Sequence, residues 1–233
     1  MSDQNIKVGV VGWPISHSRS PLIHNYWIKT MGLSGHYEAI AVEPQYFERD
    51  IRGLMAAGFA GVNVTVPHKH AALAMADTIS PQAQRIGAAN TLVFPGDGTI
   101  SAHNTDATGF MENLRAGASD IEFVGKTALV LGAGGAARAI ICGLQDAGVA
   151  NIILANRTAD RATALQQAFG EAGPIDVLPW DGRHDALETV DLLVNTTSLG
   201  MVGSPPLALD LSALKKTAVV TDIVYAPLET SLL

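Results

Sequence analysis

The chain has 233 residues, 48% of them hydrophobic and only 16% charged, which supplies core for one large or two small globular domains and argues against disorder. Its 22 acidic and 15 basic residues give a net charge of −7, without the basic footprint of a protein that grips nucleic acid or an anionic membrane. A single cysteine, Cys142, cannot close an internal disulfide, and no Cys/His cluster has zinc spacing, so no metal is expected and a reducing cytoplasm fits best.

The N-terminus, Met1 to Lys7, places an acid before the first base and has no apolar run ending in a cleavage site, unlike a signal peptide. Lys7 to Val11 reads as a buried strand, and Gly12-Trp13-Pro14 reads as a turn. Ser20-Pro21 then opens a helix with a serine N-cap and an early proline, running to about Met31. Ile23, Trp27 and Met31 recur at helical spacing and are expected in the core. A strand near Tyr37 to Val42, a helix from Gln45 to Ala57 and an alternating strand from Gly61 to Val66 follow, stopped by Pro67. His68 to Ala76 begins as a helix, Thr91 to Phe94 is a strand, and Pro95-Gly96-Asp97-Gly98 is a hairpin-like turn. A helix starts at Asp106, which sets a domain boundary there: residues 1–105 and 106–233.

The second half repeats strand and helix: strand Thr127 to Leu131, helix Ala136 to Ala147, strand Asn151 to Ala155, helix Arg161 to Phe169, then strands Asp191 to Val194 and Ala218 to Asp222. That alternation predicts α/β architecture in two domains, a mostly parallel first domain and a doubly wound second one of Rossmann type. The longest uncharged stretch, Leu192 to Leu209, contains Asn195, Thr196, Thr197, Pro205 and Pro206 and does not read as a membrane span.

Gly132-Ala133-Gly134-Gly135-Ala136-Ala137 matches the G-x-G-x-x-A fingerprint directly after one predicted strand and at the start of one predicted helix. Gly132 permits the tight turn, Gly134 admits a pyrophosphate, Ala137 lets helix and strand pack closely, and the helix start offers N–H groups to the anion. An NAD site would place an acid at the end of the next strand; this chain has Asn156-Arg157-Thr158. A guanidinium pairs with a 2′-phosphate that a carboxylate would repel, so NADP is the expected cofactor. Elsewhere, an arginine of this kind would be read as a solvated loop residue. The His68-x-His70 pair lacks a third ligand at a recognisable spacing, and Cys142 falls inside a helix as packing rather than as a nucleophile.

Five segments taken together resemble the shikimate dehydrogenase family: Ser16-His17-Ser18-Arg19-Ser20-Pro21, Asn63-Val64-Thr65-Val66-Pro67-His68-Lys69, Gly87-Ala88-Ala89-Asn90-Thr91, Asn104-Thr105-Asp106, and the glycine loop with Asn156-Arg157-Thr158. Asn195 to Met201 and Asp222 to Pro227 extend the likeness over the whole chain. The resemblance implies NADP-dependent interconversion of 3-dehydroshikimate and shikimate by hydride transfer, a step in aromatic amino-acid biosynthesis. It implies Lys69 and Asp106 as the catalytic pair, with the lysine as proton donor and acceptor and the aspartate orienting it. By the same likeness Ser18 and Ser20, helped by Tyr225, hold the substrate carboxylate, and Thr65 and Asn90 meet its hydroxyls. The cofactor is expected on Gly132, Ala133, Gly134, Gly135, Ala136, Asn156, Arg157 and Thr158, with Thr196, Ser198 and Met201 towards the nicotinamide. The partner implied is a small-molecule substrate, and the protein is expected as a monomer or homodimer.

Family chains usually continue into a Met-Leu…Gln run and helices that return to the first domain; this sequence stops at Leu233. The second domain is therefore expected to lack that segment. Two alternatives stay open: a quinate/shikimate dehydrogenase of broader range, against which serines at 18 and 20 speak, and a nucleotide-binding relative without catalysis.

Overall fold

The computed structural model describes residues 5–233; part of the N-terminal stretch read against a signal peptide lies outside them. The chain divides into two compact units, Met1–Thr105 and Asp106–Leu233.

In the first unit, strand β1 (Ile6–Gly12) is followed by helix α1 (Ser20–Thr30), β2 (Gly35–Ala41), a short 3₁₀ turn (Pro44–Tyr46) and α2 (Phe47–Ala56). Then come β3 (Phe59–Val64), α3 (Lys69–Ala74), β4 (Thr78–Ile79), α4 (Pro81–Ile86), β5 (Thr91–Val93) and β6 (Ser101–His103). The sheet order is β2-β1-β3-β5-β6-β4. β1 runs parallel to both neighbours and β4 parallel to β6, while β5 runs against β3 and β6. Successive strand residues point to opposite faces: Val11, Val62, Val64 and Leu92 pack with Phe47 and Ile51 of α2, whereas Val10 and Tyr37 pack with Ile15 on the α1 side.

Helix α1 corrects two expectations. Ser20 is its first helical residue and not its N-cap; Arg19 holds that position in helical geometry with no side-chain cap, and the Ser20 N–H donates instead to Ser18 Oγ at 3.3 Å. Ile23, Trp27 and Met31 are not core: they are 45%, 48% and 69% exposed, and no residue of α1 is buried. The stripe that meets the sheet is offset by one position. His24 stacks on Tyr37 at 4.1 Å, Asn25 bonds the Tyr37 backbone, and Ile28 packs on the Val10 cluster. A period of 3.6 fixes the spacing of a face but not which face turns inward.

The second unit opens with α5 (Asp106–Gly117), β7 (Thr127–Leu131) and α6 (Gly135–Asp146), then β8 (Asn151–Asn156) and α7 (Ala159–Phe169). After α7 come β9 (Ile175–Pro179), β10 (Leu192–Asn195) and β11 (Val219–Asp222). All five strands are parallel in the order β11-β10-β7-β8-β9. That is the doubly wound arrangement, with its order reversing between β7 and β10. Leu129, Leu131, Ala155 and Leu193 share a core with Leu187, Val190 and Leu207 on one side. Opposite, α5 and α6 approach closely at Gly143, where a Cβ would lie 2.8 Å from Met111 Cγ. Cys142 is fully buried on α6.

Among the described residues no helix is long and apolar enough to cross a membrane.

Candidate functional site

In the first unit, the carboxyl ends of β1, β3 and β6 and the amino end of the antiparallel β5 lie at one edge of the sheet. The loop after β1 carries Ser18, and Ser20 opens α1 directly after it. The turn after β3 carries Thr65, whose N–H donates to Val11 O at 2.9 Å and whose carbonyl accepts the His68 N–H at 2.9 Å. Lys69, half-buried, is the first residue of α3, and its carbonyl accepts the Ala89 N–H at 2.9 Å, tying the segment before Asn90 to it. Asn90 is fixed from both sides, its carbonyl accepting from Val64 N at 2.7 Å and its N–H donating to His103 O at 3.0 Å. The buried Asn104 amide donates to Ala88 O at 2.9 Å. Ser18, Ser20, Thr65, Lys69 and Asn90, scattered over more than seventy residues of sequence, thus come to one end of one sheet.

The two histidines beside Lys69 serve the scaffold. His68 is 2% exposed, stacks on Phe47 at 4.6 Å and places Nε2 2.8 Å from Val42 O. Burial pushes its imidazole below the usual histidine range, with the Val42 hydrogen bond partly opposing. His70 places Nδ1 2.8 Å from Gly87 O. Among the described residues no group of three or more His, Cys, Asp or Glu side chains could hold a metal ion.

In the second unit, the glycine turn joins β7 to α6. Gly132 has φ +104°, and a Cβ there would sit 2.7 Å from Thr196 Oγ1; only glycine combines that dihedral with that approach. Thr196 follows β10 and commits its hydroxyl to Leu131 O at 2.7 Å, so it braces the turn from beneath. Asn156, at the end of β8, accepts the Ala133 N–H at 3.2 Å and donates to Thr158 O at 2.8 Å. Arg157 and Thr158 are exposed beyond it. A Cβ added at Gly134 or Gly135 would meet nothing within 4 Å, so the start of a 12-residue helix has open space beside these two residues. Those residues fit a dinucleotide: room for a pyrophosphate at a helix start, and Asn156-Arg157 rather than an acid at the end of β8.

Ser198 and Met201 stand on the exposed turn after β10, joined by the Met201 N–H to Ser198 O bond at 3.2 Å. Tyr225 is 63% exposed, and its loop is tied to theirs through Val202 N to Ala226 O at 2.8 Å. Asp106 is the first residue of α5. Arg161, to which the sequence reading gave no role, is an exposed cation on the first turn of α7, its N–H on Thr158 O at 3.2 Å.

A parallel sheet that reverses its strand order beside a glycine turn defines the class, a Rossmann-type α/β protein with a further α/β unit before it. The chain belongs to the shikimate dehydrogenase family. Residues 10–92 match the shikimate dehydrogenase substrate binding domain and residues 116–202 the shikimate / quinate 5-dehydrogenase family. The shikimate dehydrogenase (NADP(+)) of Paramagnetospirillum magneticum is 53% identical over 233 residues, 100% of this chain and 84% of that protein. The Thermus thermophilus shikimate 5-dehydrogenase in complex with NADP(H) and shikimate is 38% identical, with TM-score 0.84 over 95% of this chain and 80% of its own. The Corynebacterium glutamicum quinate dehydrogenase in complex with NAD is 31% identical, with TM-score 0.91 over 98% and 83%.

Proposed function

We propose that the protein is an NADP-dependent oxidoreductase that interconverts 3-dehydroshikimate and shikimate in aromatic amino-acid biosynthesis. The observation that carries the reading is the gathering of Ser18, Ser20, Thr65, Lys69 and Asn90 at one end of the first sheet, in a chain whose second unit has the glycine turn followed by Asn156-Arg157-Thr158.

NADPH, when bound, supplies the hydride. Reduction of the ring ketone builds negative charge on its oxygen, and the Lys69 ammonium is the group to give that oxygen a proton; in the oxidative direction the lysine takes it back. Asp106 orients the lysine and accepts from a substrate hydroxyl. Ser18 and Ser20, with Tyr225, donate to the substrate carboxylate, and Thr65 and Asn90 bond the ring hydroxyls. Gly132, Ala133, Gly134, Gly135 and Ala136 cradle the pyrophosphate, and Asn156, Arg157 and Thr158 take the adenosine end, with the guanidinium on the 2′-phosphate. Ser198 and Met201 line the nicotinamide side, above Thr196. The setting is a reducing cytoplasm, in keeping with one buried thiol, and the working form a monomer or homodimer.

The test is nicotinamide absorbance with shikimate and NADP⁺ for the unchanged chain and for Lys69→Ala. Reduction that falls by roughly three orders of magnitude or more in the variant is expected, since general acid–base catalysis contributes about 10²–10⁴-fold. Equal rates in the two proteins would remove Lys69 from the chemistry, and no reduction by either would overturn the activity.

A further inference from the structure

Two residues of the motifs above, Asn63 and Thr91, and Tyr37 of β2 have no role in that scheme, yet they form one connected chain. Asn63 stands opposite Thr91 in the β3–β5 ladder, and its Nδ2 lies 3.1 Å from Thr91 Oγ1 and 3.5 Å from the Asn90 carbonyl. A carbonyl accepts only, so the Asn63 nitrogen faces it and Oδ1 faces the other way, onto the Tyr37 hydroxyl at 2.7 Å. Tyr37 is 2% exposed, and burial pushes its phenol up to about 12 against an opposing contact from the Ser20 hydroxyl. The phenol is therefore protonated at any working pH and donates to Asn63.

Thr91 accepts from Asn63, so its own proton goes to Asn90 Oδ1, 2.9 Å away. The Thr105 backbone N–H, a donor only, reaches the same oxygen at 3.0 Å. With its oxygen held by those two donors, Asn90 turns Nδ2 the other way, towards Thr105 Oγ1 at 3.0 Å. The three links from Tyr37 through Asn63 and Thr91 to Asn90 thus each have one donor direction, and the far end of the chain meets the Ser20 hydroxyl.

We propose that Thr91 is a positioning residue for the reaction, backed by Asn63 and Tyr37: the relay fixes the rotamer and the amide orientation of Asn90, so that a substrate oxygen meets its N–H edge. The inference rests on the proposed activity, because it presumes that Asn90 binds a substrate hydroxyl. It assigns the selectivity of that contact to residues that do not touch the substrate. With the relay intact the contact calls for an acceptor; with the Thr91 hydroxyl removed, the Asn90 oxygen loses one donor and the amide can turn over.

Thr91→Val keeps the β-branched shape of the strand residue and deletes only the hydroxyl, whereas Thr91→Ser keeps the hydroxyl. In steady-state assays Thr91→Val is expected to raise the KM for shikimate about tenfold, with the KM for NADP⁺ within about twofold of the unchanged protein. Thr91→Ser should recover most of the loss, and Tyr37→Phe, at the far end, should show a smaller rise of the same kind. A folding defect would instead lower activity towards both ligands together and would not be rescued selectively. If Thr91→Val folds and binds shikimate as the unchanged chain does, or if Thr91→Ser is as impaired as Thr91→Val, the assignment is wrong. Should Thr91→Val not fold, an unaltered shikimate KM in Tyr37→Phe overturns it. Absence of turnover in the unchanged chain would instead bring down the activity itself, and this proposal with it.

Discussion

In the proposed function, Arg157 is the residue on which cofactor choice turns. Asn156 spends its amide inside the loop, on Ala133 N and Thr158 O, and shapes the turn that presents the exposed guanidinium. Arg157→Ala is expected to raise the KM for NADPH by about 10–100-fold while leaving that for NADH nearly unchanged, as loss of a charge-assisted phosphate contact would; an equal effect on both cofactors would refute the 2′-phosphate assignment. His68 supplies a pH dependence of stability. Its folded pKa is lowered by burial, so the neutral form is preferred in the native state. Its contribution is complete above the unfolded value near 6.5 and is lost as pH falls through the folded one. His68→Phe should therefore show a smaller fall in Tm between pH 7 and pH 5 than the unchanged chain, and an identical fall would assign the acid sensitivity elsewhere, as to His24, a half-buried imidazole whose pKa is also lowered by burial. The glycine turn and Asn156-Arg157-Thr158 were legible in the sequence because each works as a contiguous segment. Thr91 and Asn63 were not, because their bond joins residues 28 apart and nothing local marks a threonine as a relay.

Helix α1 shows what periodicity gives and what it withholds. The helix itself was readable from Ser20-Pro21 and its apolar spacing, but the spacing pointed to Ile23, Trp27 and Met31, whereas a polar residue makes the decisive contact. Asn25 donates to Pro21 O at 2.8 Å and to Tyr37 O at 2.7 Å, and its Oδ1 accepts the Tyr37 N–H at 3.0 Å, stitching the helix to β2 as another strand would. Asn25→Ala is expected to cost about 2 kcal/mol, since it strips partners from partly buried backbone groups. Ile23→Ala, at 45% exposure, should cost no more than about 0.5 kcal/mol. Chemical denaturation of the two variants separates them, and the reverse order would mean that the helix docks by its apolar face. Short elements escaped the sequence reading for a related reason. β4 has two residues and α4 six, too few for a period to register, although Ser80 does cap α4 through the Ala83 N–H at 3.2 Å. β9 ends in Pro179, tolerated because β9 is an edge strand of its sheet.

At the scale of the molecule, alternation of strand and helix was enough to read the α/β class, while strand order was not. Local pattern says that a segment is a strand; which neighbour it pairs with depends on crossovers and on packing between residues far apart in sequence. The first sheet makes this plain, since β5 reverses direction and delivers Asn90 from an amino end to the edge where β1, β3 and β6 finish.

That reversal also decides where foreign sequence can be added. The β5–β6 turn lies at the opposite end of these strands from Asn90 and Thr105. Its tip is exposed, with Gly96 and Gly98 at φ +93° and +88° and Asp97 closing it through the Thr99 N–H at 2.9 Å. An epitope or fluorophore-bearing peptide spliced between Gly96 and Asp97 should leave the KM for shikimate within about twofold, because lengthening a surface loop costs little entropy. The same peptide placed after Ala88, on the edge that holds Asn90, should abolish turnover. Equal tolerance at both places would show that the edge carrying Asn90 is not the working one. The hairpin is thus a ready attachment point for immobilising or tracking the protein without touching its chemistry.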